Sequence, residues 1–150
     1  MSVASAGTFS VYLEAGKTRV IAGALDWPGW CRAGRDEDAA LQALLAYGPR
    51  YARVVSSARL GFRPPQEVSA LVIAERLTGN ATTDFGAPGI PPESDGRPVD
   101  DTELGRLQAA LKACWRALDA ASENARGRPL RLGPRGGGRT LYKILEHVSE

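Results

Sequence analysis

The segment from Leu25 to Leu41, read LDWPGWCRAGRDEDAAL, constrains the fold of this chain more than any other stretch. Pro28-Gly29 predicts a tight turn, because proline presets its backbone angle and glycine tolerates turn geometry. Asp36 can then accept hydrogen bonds from the free amides of a first helical turn, and the two acidic residues after it suit the positive end of the helix dipole. The segment therefore predicts the point along the chain where the sheet ends and a capped helix begins.

The flanking residues complete a small sheet. Residues 9–13 and 18–25 are rich in aromatic and β-branched side chains, which predicts a hairpin of two strands, and residues 30–33 are short enough for a third strand. The apolar run 68–77 is interpreted as a fourth strand. Together these elements predict an α+β fold, in which a small antiparallel sheet carries a packed helix in the order β-β-β-α-β.

The helix after Asp36 is predicted to be interrupted. Its apolar residues follow helical spacing as far as Tyr47, but Gly48-Pro49 then removes a backbone donor and adds flexibility. We therefore expect a second helical segment from Tyr51 to Val55.

Three regions are predicted along the chain. Residues 7–80 form the α+β domain, and residues 100–150 form a helical segment. Residues 81–99 between them are rich in proline and glycine, which predicts an irregular linker.

Two amphipathic helices are predicted in the helical segment. Asp100 and Glu103 form a capping box before the first helix, and Thr140 opens the second. Their apolar positions recur every three or four residues: Leu104, Leu107, Leu111, Cys114, Trp115 and Leu118, then Leu141, Ile144, Leu145 and Val148. Two helices cannot bury both apolar faces alone. They must pack on the sheet domain, pair with another chain or belong to a longer bundle.

The N-terminal region resembles the HicB family of antitoxin-type domains over about residues 9–78. The resemblance rests on the turn, the glycine and the capped helix that follow one another: Asp26, Pro28, Gly29, Gly34, Asp36 and Ala40-Leu41. It implies a compact α+β fold and a role in binding and blocking a small RNA-cleaving toxin. No helix-turn-helix or ribbon-helix-helix signature, which would indicate a separate DNA-binding unit, accompanies it.

The C-terminal region resembles the first two helices of a DinB-like bundle. Cys114-Trp115 on one helix and Leu145-x-His147 on the next carry this resemblance, which covers an incomplete, truncated form of the bundle. It implies a weak metal site at His147 for zinc or nickel in a metal- and thiol-dependent transferase. His147 is the only histidine, and a catalytic metal needs about three protein ligands. Another subunit or a further segment would have to supply the rest.

A glycine-rich loop before the last helix predicts a weak anion-binding site. Free amides at a helix start attract anions, and arginines flank them here. The predicted site comprises Arg135, Gly136, Gly137, Gly138, Arg139 and Thr140. Residues 126–143 hold six basic and no acidic side chains, although the whole chain carries a net charge of only +2. We do not expect nucleic-acid binding, because no aromatic side chain alternates with these charges to stack bases.

These patterns favour a non-catalytic binding or protein-interaction module that associates with itself or with another protein. Covalent catalysis is not expected, since neither cysteine adjoins a histidine in sequence and no Ser-His-Asp order occurs. No cofactor is expected, other than the zinc or nickel of the DinB-like alternative. The alternatives are the DinB-like transferase and the toxin-blocking antitoxin. No apolar run approaches the ~20 residues that span a bilayer, and the N-terminus lacks a signal-peptide pattern. We therefore expect no membrane association and a cytoplasmic location. The Ala, Arg and Gly bias is typical of a GC-rich bacterial genome.

Overall fold

The protein is an α+β fold, described here by a computed structural model that covers residues 7–133 and 137–150. Its strands and helices follow the chain in this order: β1 (Phe9–Ala15), β2 (Val20–Ala24), β3 (Cys31–Gly34), α1 (Glu37–Val55), β4 (Leu71–Thr78), α2 (Ala81–Phe85), α3 (Asp101–Ala125) and α4 (Leu141–Ser149). The predicted α+β class and β-β-β-α-β order are confirmed.

The sheet is mixed, with strand order β3-β2-β1-β4. The pairs β1–β2 and β2–β3 are antiparallel, whereas β4 runs parallel to β1 with Phe9 opposite Leu71 and Ala15 opposite Thr78. The prediction of a wholly antiparallel sheet is therefore wrong in this one pairing. The reason is the crossover through α1, which returns the chain to the end of the sheet where β1 begins, so that β4 enters in the same direction.

One face of the sheet packs against α1 and forms the hydrophobic core. The strands contribute Val11 and Leu13, both almost fully buried, and α1 contributes Leu44 and Tyr51. Trp30 lies between the two layers with no exposed surface. This core explains why a chain of 150 residues folds around a four-stranded sheet.

Helix α1 is continuous, so the predicted interruption at Gly48-Pro49 is wrong. Its buried face runs on through Leu44, Gly48, Tyr51 and Val55. A Cβ on Gly48 would come within 3.1 Å of the Pro64 side chain, so the glycine allows close packing rather than a break. Burial of this face outweighs the hydrogen bond that Pro49 removes.

The predicted junction between sheet and helix is confirmed. Asp36 accepts a hydrogen bond from the backbone N–H of Ala39 at 2.8 Å, which caps α1. Gly34, at the end of β3, lies so close to the helix start that a Cβ there would overlap the backbone of Ala40. The glycine is required because the strand and the helix meet at this point without room for a side chain.

The segment between β4 and α3 packs on the other face of the sheet. It contains α2 and a 3-10 turn at Glu93–Gly96, so the prediction that it lacks regular structure is wrong in these two places. A capping box explains α2: the Asn80 side chain accepts from backbone amides of the first turn, while the Thr83 hydroxyl accepts from the Asn80 N–H.

Helix α3 packs on the α+β domain through one face. Ala110 and Ala113 are buried, and Cys114 contacts the core that α1 forms. The Arg116 guanidinium donates to the Ser57 hydroxyl in the 3-10 turn after α1, with N–O distances of 3.0 and 3.2 Å. The inner face of α3 thus packs on the sheet domain, which is the first of the three arrangements predicted for the amphipathic helices.

Helix α4 ends the chain and has no buried residue. Its side-chain hydrogen bonds are local, from Lys143 N–H to the Thr140 hydroxyl and from the Ser149 hydroxyl to the Leu145 carbonyl. Across residues 7–133 and 137–150, no helix combines the length and the apolar character that crossing a bilayer requires.

Candidate functional site

The predicted anion site lies partly outside the described residues, which exclude Arg135 and Gly136. The remaining members, Gly137, Gly138, Arg139 and Thr140, form the exposed approach to α4. Thr140 caps the helix by accepting from the Lys143 N–H at 3.3 Å, so its hydroxyl already has a structural use. Anion binding at this loop stays a prediction.

His147 lies on the exposed surface of α4. Its side chain is 63% exposed, and Nδ1 lies 3.7 Å from a carboxylate oxygen of Glu150. Within the part of the chain that the structure describes, no three histidine, cysteine, aspartate or glutamate side chains are grouped as metal ligands. Among the described residues, no group of metal ligands therefore forms around His147. The metal site stays a prediction.

The Asp26–Trp30 turn has a structural role that joins three elements. The Trp30 indole N–H donates to the Leu44 carbonyl at 2.9 Å, which ties the turn to α1. The Tyr51 hydroxyl donates to the Pro28 carbonyl at 2.9 Å. From α3, the Arg106 guanidinium donates to the Asp26 carbonyl at 2.6 Å. The Asp26–Trp30 turn is thus hydrogen-bonded to both long helices, α1 and α3.

Aromatic rings fill the space beneath this turn. Trp27, Trp30, Tyr51 and Phe62 contact one another with ring centroids 4.9 to 6.5 Å apart, mostly edge to face. The Arg106 guanidinium lies 5.1 Å from the centroid of the Trp27 ring. It also forms an ion pair with Glu103, three residues earlier on α3. That hydrogen bond and charge raise the pKa of Arg106 and lower the pKa of Glu103.

A groove runs beside the turn, and most of the charged residues that line it are acidic. It consists of two adjoining cavities of about 560 and 410 Å³ that share Leu25, Asp26, Ser94 and Arg97. We call it the acidic groove, after its lining carboxylates: Asp26, Glu75, Glu93, Asp95, Asp100 and Glu103. Arg97 is the basic side chain among its lining residues, so the groove is strongly negative.

Glu75 is the carboxylate of the acidic groove that holds the 3-10 turn at Glu93–Gly96. It accepts from the backbone N–H of Glu93 at 2.8 Å and of Ser94 at 3.2 Å. The Ser94 hydroxyl is buried beside this carboxylate, without a partner at regular hydrogen-bond geometry. Its proximity is the largest cause of the lowered pKa of Glu75, and the two backbone hydrogen bonds lower that pKa further. These contacts hold the 3-10 turn against β4 and keep Glu75 ionised.

Glu14 is a buried carboxylate that sequence reasoning missed. It lies on β1 with no exposed surface and accepts from the Thr83 hydroxyl, from Gly89 N–H at 2.8 Å and from Ile90 N–H at 3.3 Å. Its donors all belong to the segment after β4, so it fastens that segment to the sheet. No local pattern indicates this burial, because the donors lie 69 to 76 residues away in the chain.

Exposed apolar side chains form a row along α3. We call it the α3 stripe: Leu104, Leu111, Trp115 and Leu118. The first three are 44%, 58% and 42% exposed, and Leu118 is half-buried. Spacings of seven, four and three residues place them on one side of the helix, adjacent to the inner face that carries Ala110 and Ala113.

The two ends of α3 carry opposite charges. The acidic groove lies at its N-terminal end, where Asp100 caps the helix by accepting from the Glu103 N–H. At the other end, a cavity of about 430 Å³ is lined by arginines, which together with Lys143 form what we call the basic end: Arg126, Arg128, Arg131, Arg139 and Lys143. A helix of 25 residues separates the two by roughly 37 Å.

No protein-family model, curated protein or solved structure matches this chain. The resemblances to HicB-like and DinB-like proteins stay predictions, carried by the motifs described above.

Proposed function

We propose that this protein is a non-catalytic protein-interaction module, whose contact surface is the α3 stripe. The observation that carries the proposal is the exposure of Leu104, Leu111 and Trp115, which remain 42% to 58% exposed although the adjacent face of the same helix is packed on the domain. Contiguous apolar surface of this kind, rimmed by polar residues, is typical of interaction sites.

The composition of the surface also suits a partner. A tryptophan and leucines form its centre, and Lys112, Asp119 and Glu123 form its exposed rim. Aromatic anchors inside a charged rim are the usual anatomy of a protein-protein interface, where truncation of the anchor costs most of the affinity.

The α3 stripe is presented on a rigid support. Arg106 binds the Asp26 turn near one end of the helix, and Arg116 binds Ser57 further along. Since two anchored points fix the helix on the domain, little conformational entropy is lost when a partner binds.

The toxin-blocking role is a special case of this proposal, with the toxin as the partner. The metal- and thiol-dependent transferase would instead add zinc or nickel chemistry at His147, which is exposed on α4.

The test is photo-crosslinking from the α3 stripe. A benzophenone amino acid replaces Trp115 or Leu111, and a matched control carries it at Lys17, an exposed residue of the β1–β2 hairpin. We expect the two stripe positions to give a saturable adduct with one protein, identified by mass spectrometry, in the pure protein or in an extract of the native cell. Equal labelling from Lys17, or no adduct from either stripe position, contradicts the proposal.

A further inference from the structure

We infer that the partner of the α3 stripe is a second copy of this chain, joined through an antiparallel α3–α3 contact. This inference rests on the proposed function and names its partner. Two independent sets of charges support it, one along the stripe and one at its ends.

The first set lies on one flank of the stripe. Lys112 and Asp119 are both exposed and are seven residues, or about two helical turns, apart on the same side of α3. Within the described residues neither takes part in an ion pair of the single chain. When two copies of α3 align antiparallel about a two-fold axis near Trp115, Lys112 of each lies opposite Asp119 of the other.

This alignment is self-complementary. The same symmetry places Trp115 of one copy beside Trp115 of the other and pairs Gln108 with Glu123 across the contact. A closed two-fold dimer needs this kind of reciprocity, in which residue i meets j and j meets i. A parallel alignment in the same register would instead place Lys112 opposite Lys112.

The second set is the pair of oppositely charged ends of α3. The acidic groove lies at the N-terminal end and the basic end at the C-terminal end, roughly 37 Å apart along a helix of 25 residues. At that separation the two ends of one chain are screened from each other in physiological salt. In the antiparallel dimer, the basic end of each copy lies beside the acidic groove of the other.

The occupant predicted for the acidic groove is thus the arginine-rich segment of the second copy. The groove presents six carboxylates, and the basic end presents five described cationic side chains: Arg126, Arg128, Arg131, Arg139 and Lys143. Arg126 already pairs with Glu123 at 2.8 Å, which shows that its side chain lies along α3 on the side of the rim.

The test measures the dissociation constant of the dimer by sedimentation equilibrium of the full chain. The variants exchange the charges of Lys112 and Asp119 on the flank of the α3 stripe. Lys112→Glu and Asp119→Lys each place like charges opposite each other twice in the dimer, so we expect each to raise the dissociation constant about tenfold or more. The double variant restores both opposite-charge pairs and should return to within about threefold of the parent protein. Lys17→Glu, which makes the same change in net charge as Lys112→Glu but in the β1–β2 hairpin, should leave association unchanged.

Two further measurements complete the design. Trp115→Ala removes the central anchor and should weaken association about thirtyfold or more, with an unchanged circular dichroism spectrum, since this side chain is 42% exposed in the single chain. Raising the salt concentration should weaken the parent dimer, because the contacts at both ends are ionic.

Different failures separate this inference from the proposed function. A chain that stays monomeric at every concentration, but still crosslinks another protein from Trp115, overturns the dimer and leaves the interaction module intact. A dimer that the charge swaps do not affect, or that the double variant does not restore, overturns the antiparallel alignment. A chain that neither dimerises nor crosslinks overturns both.

Discussion

Two carboxylates join distant segments of this fold: Glu14, which is buried, and Asp84, which is half-buried. Glu14 has no exposed surface and receives three hydrogen bonds from the segment after β4, whereas Asp84 on α2 accepts from the backbone and hydroxyl of Thr18 at 2.7 and 3.1 Å. Because a buried carboxylate is costly unless its oxygens are satisfied, the segment and the sheet stabilise each other.

Substitution of Glu14 tests this coupling. Glu14→Gln replaces an acceptor by an amide N–H₂ that faces the same donors, so one or two buried groups lose their partners. We expect the free energy of unfolding in urea to fall by about 1–3 kcal/mol. The matched control, Glu146→Gln, changes an exposed carboxylate on α4 and should cost less than about 0.5 kcal/mol, as most surface changes do. A loss of stability no greater than that of the control would show that Glu14 does not hold the segment.

The buried hydroxyl of Tyr51 should make the stability of the fold fall at alkaline pH. Burial raises the pKa of its hydroxyl from 10.0 to about 12, because the phenolate would lose its hydration between α1 and the Asp26–Trp30 turn. A group whose pKa is raised in the folded state stabilises the fold fully below its unfolded pKa, and that contribution is lost as the pH rises through the folded pKa. Unfolding should therefore become easier between pH 10.0 and about 12.

Tyr51→Phe checks the sign of this effect. The variant loses the hydrogen bond to the Pro28 carbonyl, so we expect it to be about 1 kcal/mol less stable at neutral pH. Its stability should then fall less steeply with rising pH in denaturant titrations. The slope should not vanish, since burial also raises the pKa of Tyr12 on β1. A slope as steep as that of the parent protein would assign the alkaline limit to other groups.

At the scale of elements, two glycines show two different effects. One allows close packing between elements, and the other only lowers the helix propensity of its segment. Gly34 is the point where β3 meets the start of α1, and Gly105 lies inside α3 with no atom near the position of an added Cβ. The same substitution thus has opposite physical consequences at the two sites.

Alanine at each glycine provides the matched comparison. Gly34→Ala forces the added Cβ into the backbone of Ala40, so we expect a loss of several kcal/mol and a displaced α1. Gly105→Ala improves the helix propensity in open space and should stabilise the protein by about 0.5–1 kcal/mol. Chemical denaturation with far-ultraviolet circular dichroism measures both. Equal effects at the two sites would refute the close approach of β3 and α1.

Elements with local signals could be predicted from the sequence. The Asp36 cap, the Asp100 cap and the strand patterns each depend on a few neighbouring residues, and the structure confirms them. The parallel pairing of β4, the continuity of α1 through Pro49 and the burial of Glu14 could not be predicted, because each depends on residues far away in the chain.

At the scale of the whole molecule, stability is concentrated in the sheet and α1. Strand β2 is buried throughout and β1 is buried from Val11 to Glu14, whereas α4 has no buried residue and only nine residues. A helix of that length is marginal in water without tertiary support. We therefore expect local opening of α4 to need far less free energy than opening of the sheet.

Native-state hydrogen exchange measures this difference residue by residue. The amides of β1 and β2 should exchange only through global unfolding, and those of α4 should exchange orders of magnitude faster. The inner turns of α3, near Ala110 and Ala113, provide the internal comparison and should be intermediate. Protection of α4 equal to that of β1 would show that α4 is packed as a core element.

The sequence by itself determined where strands, caps and amphipathic helices form, since these depend on propensities and contacts between near neighbours. Only the tertiary structure decided which face of α3 packs inward, which way β4 runs, and that the Asp26–Trp30 turn anchors two helices through Tyr51 and Arg106. Those features come from burial and hydrogen bonds between distant residues, which no local pattern records.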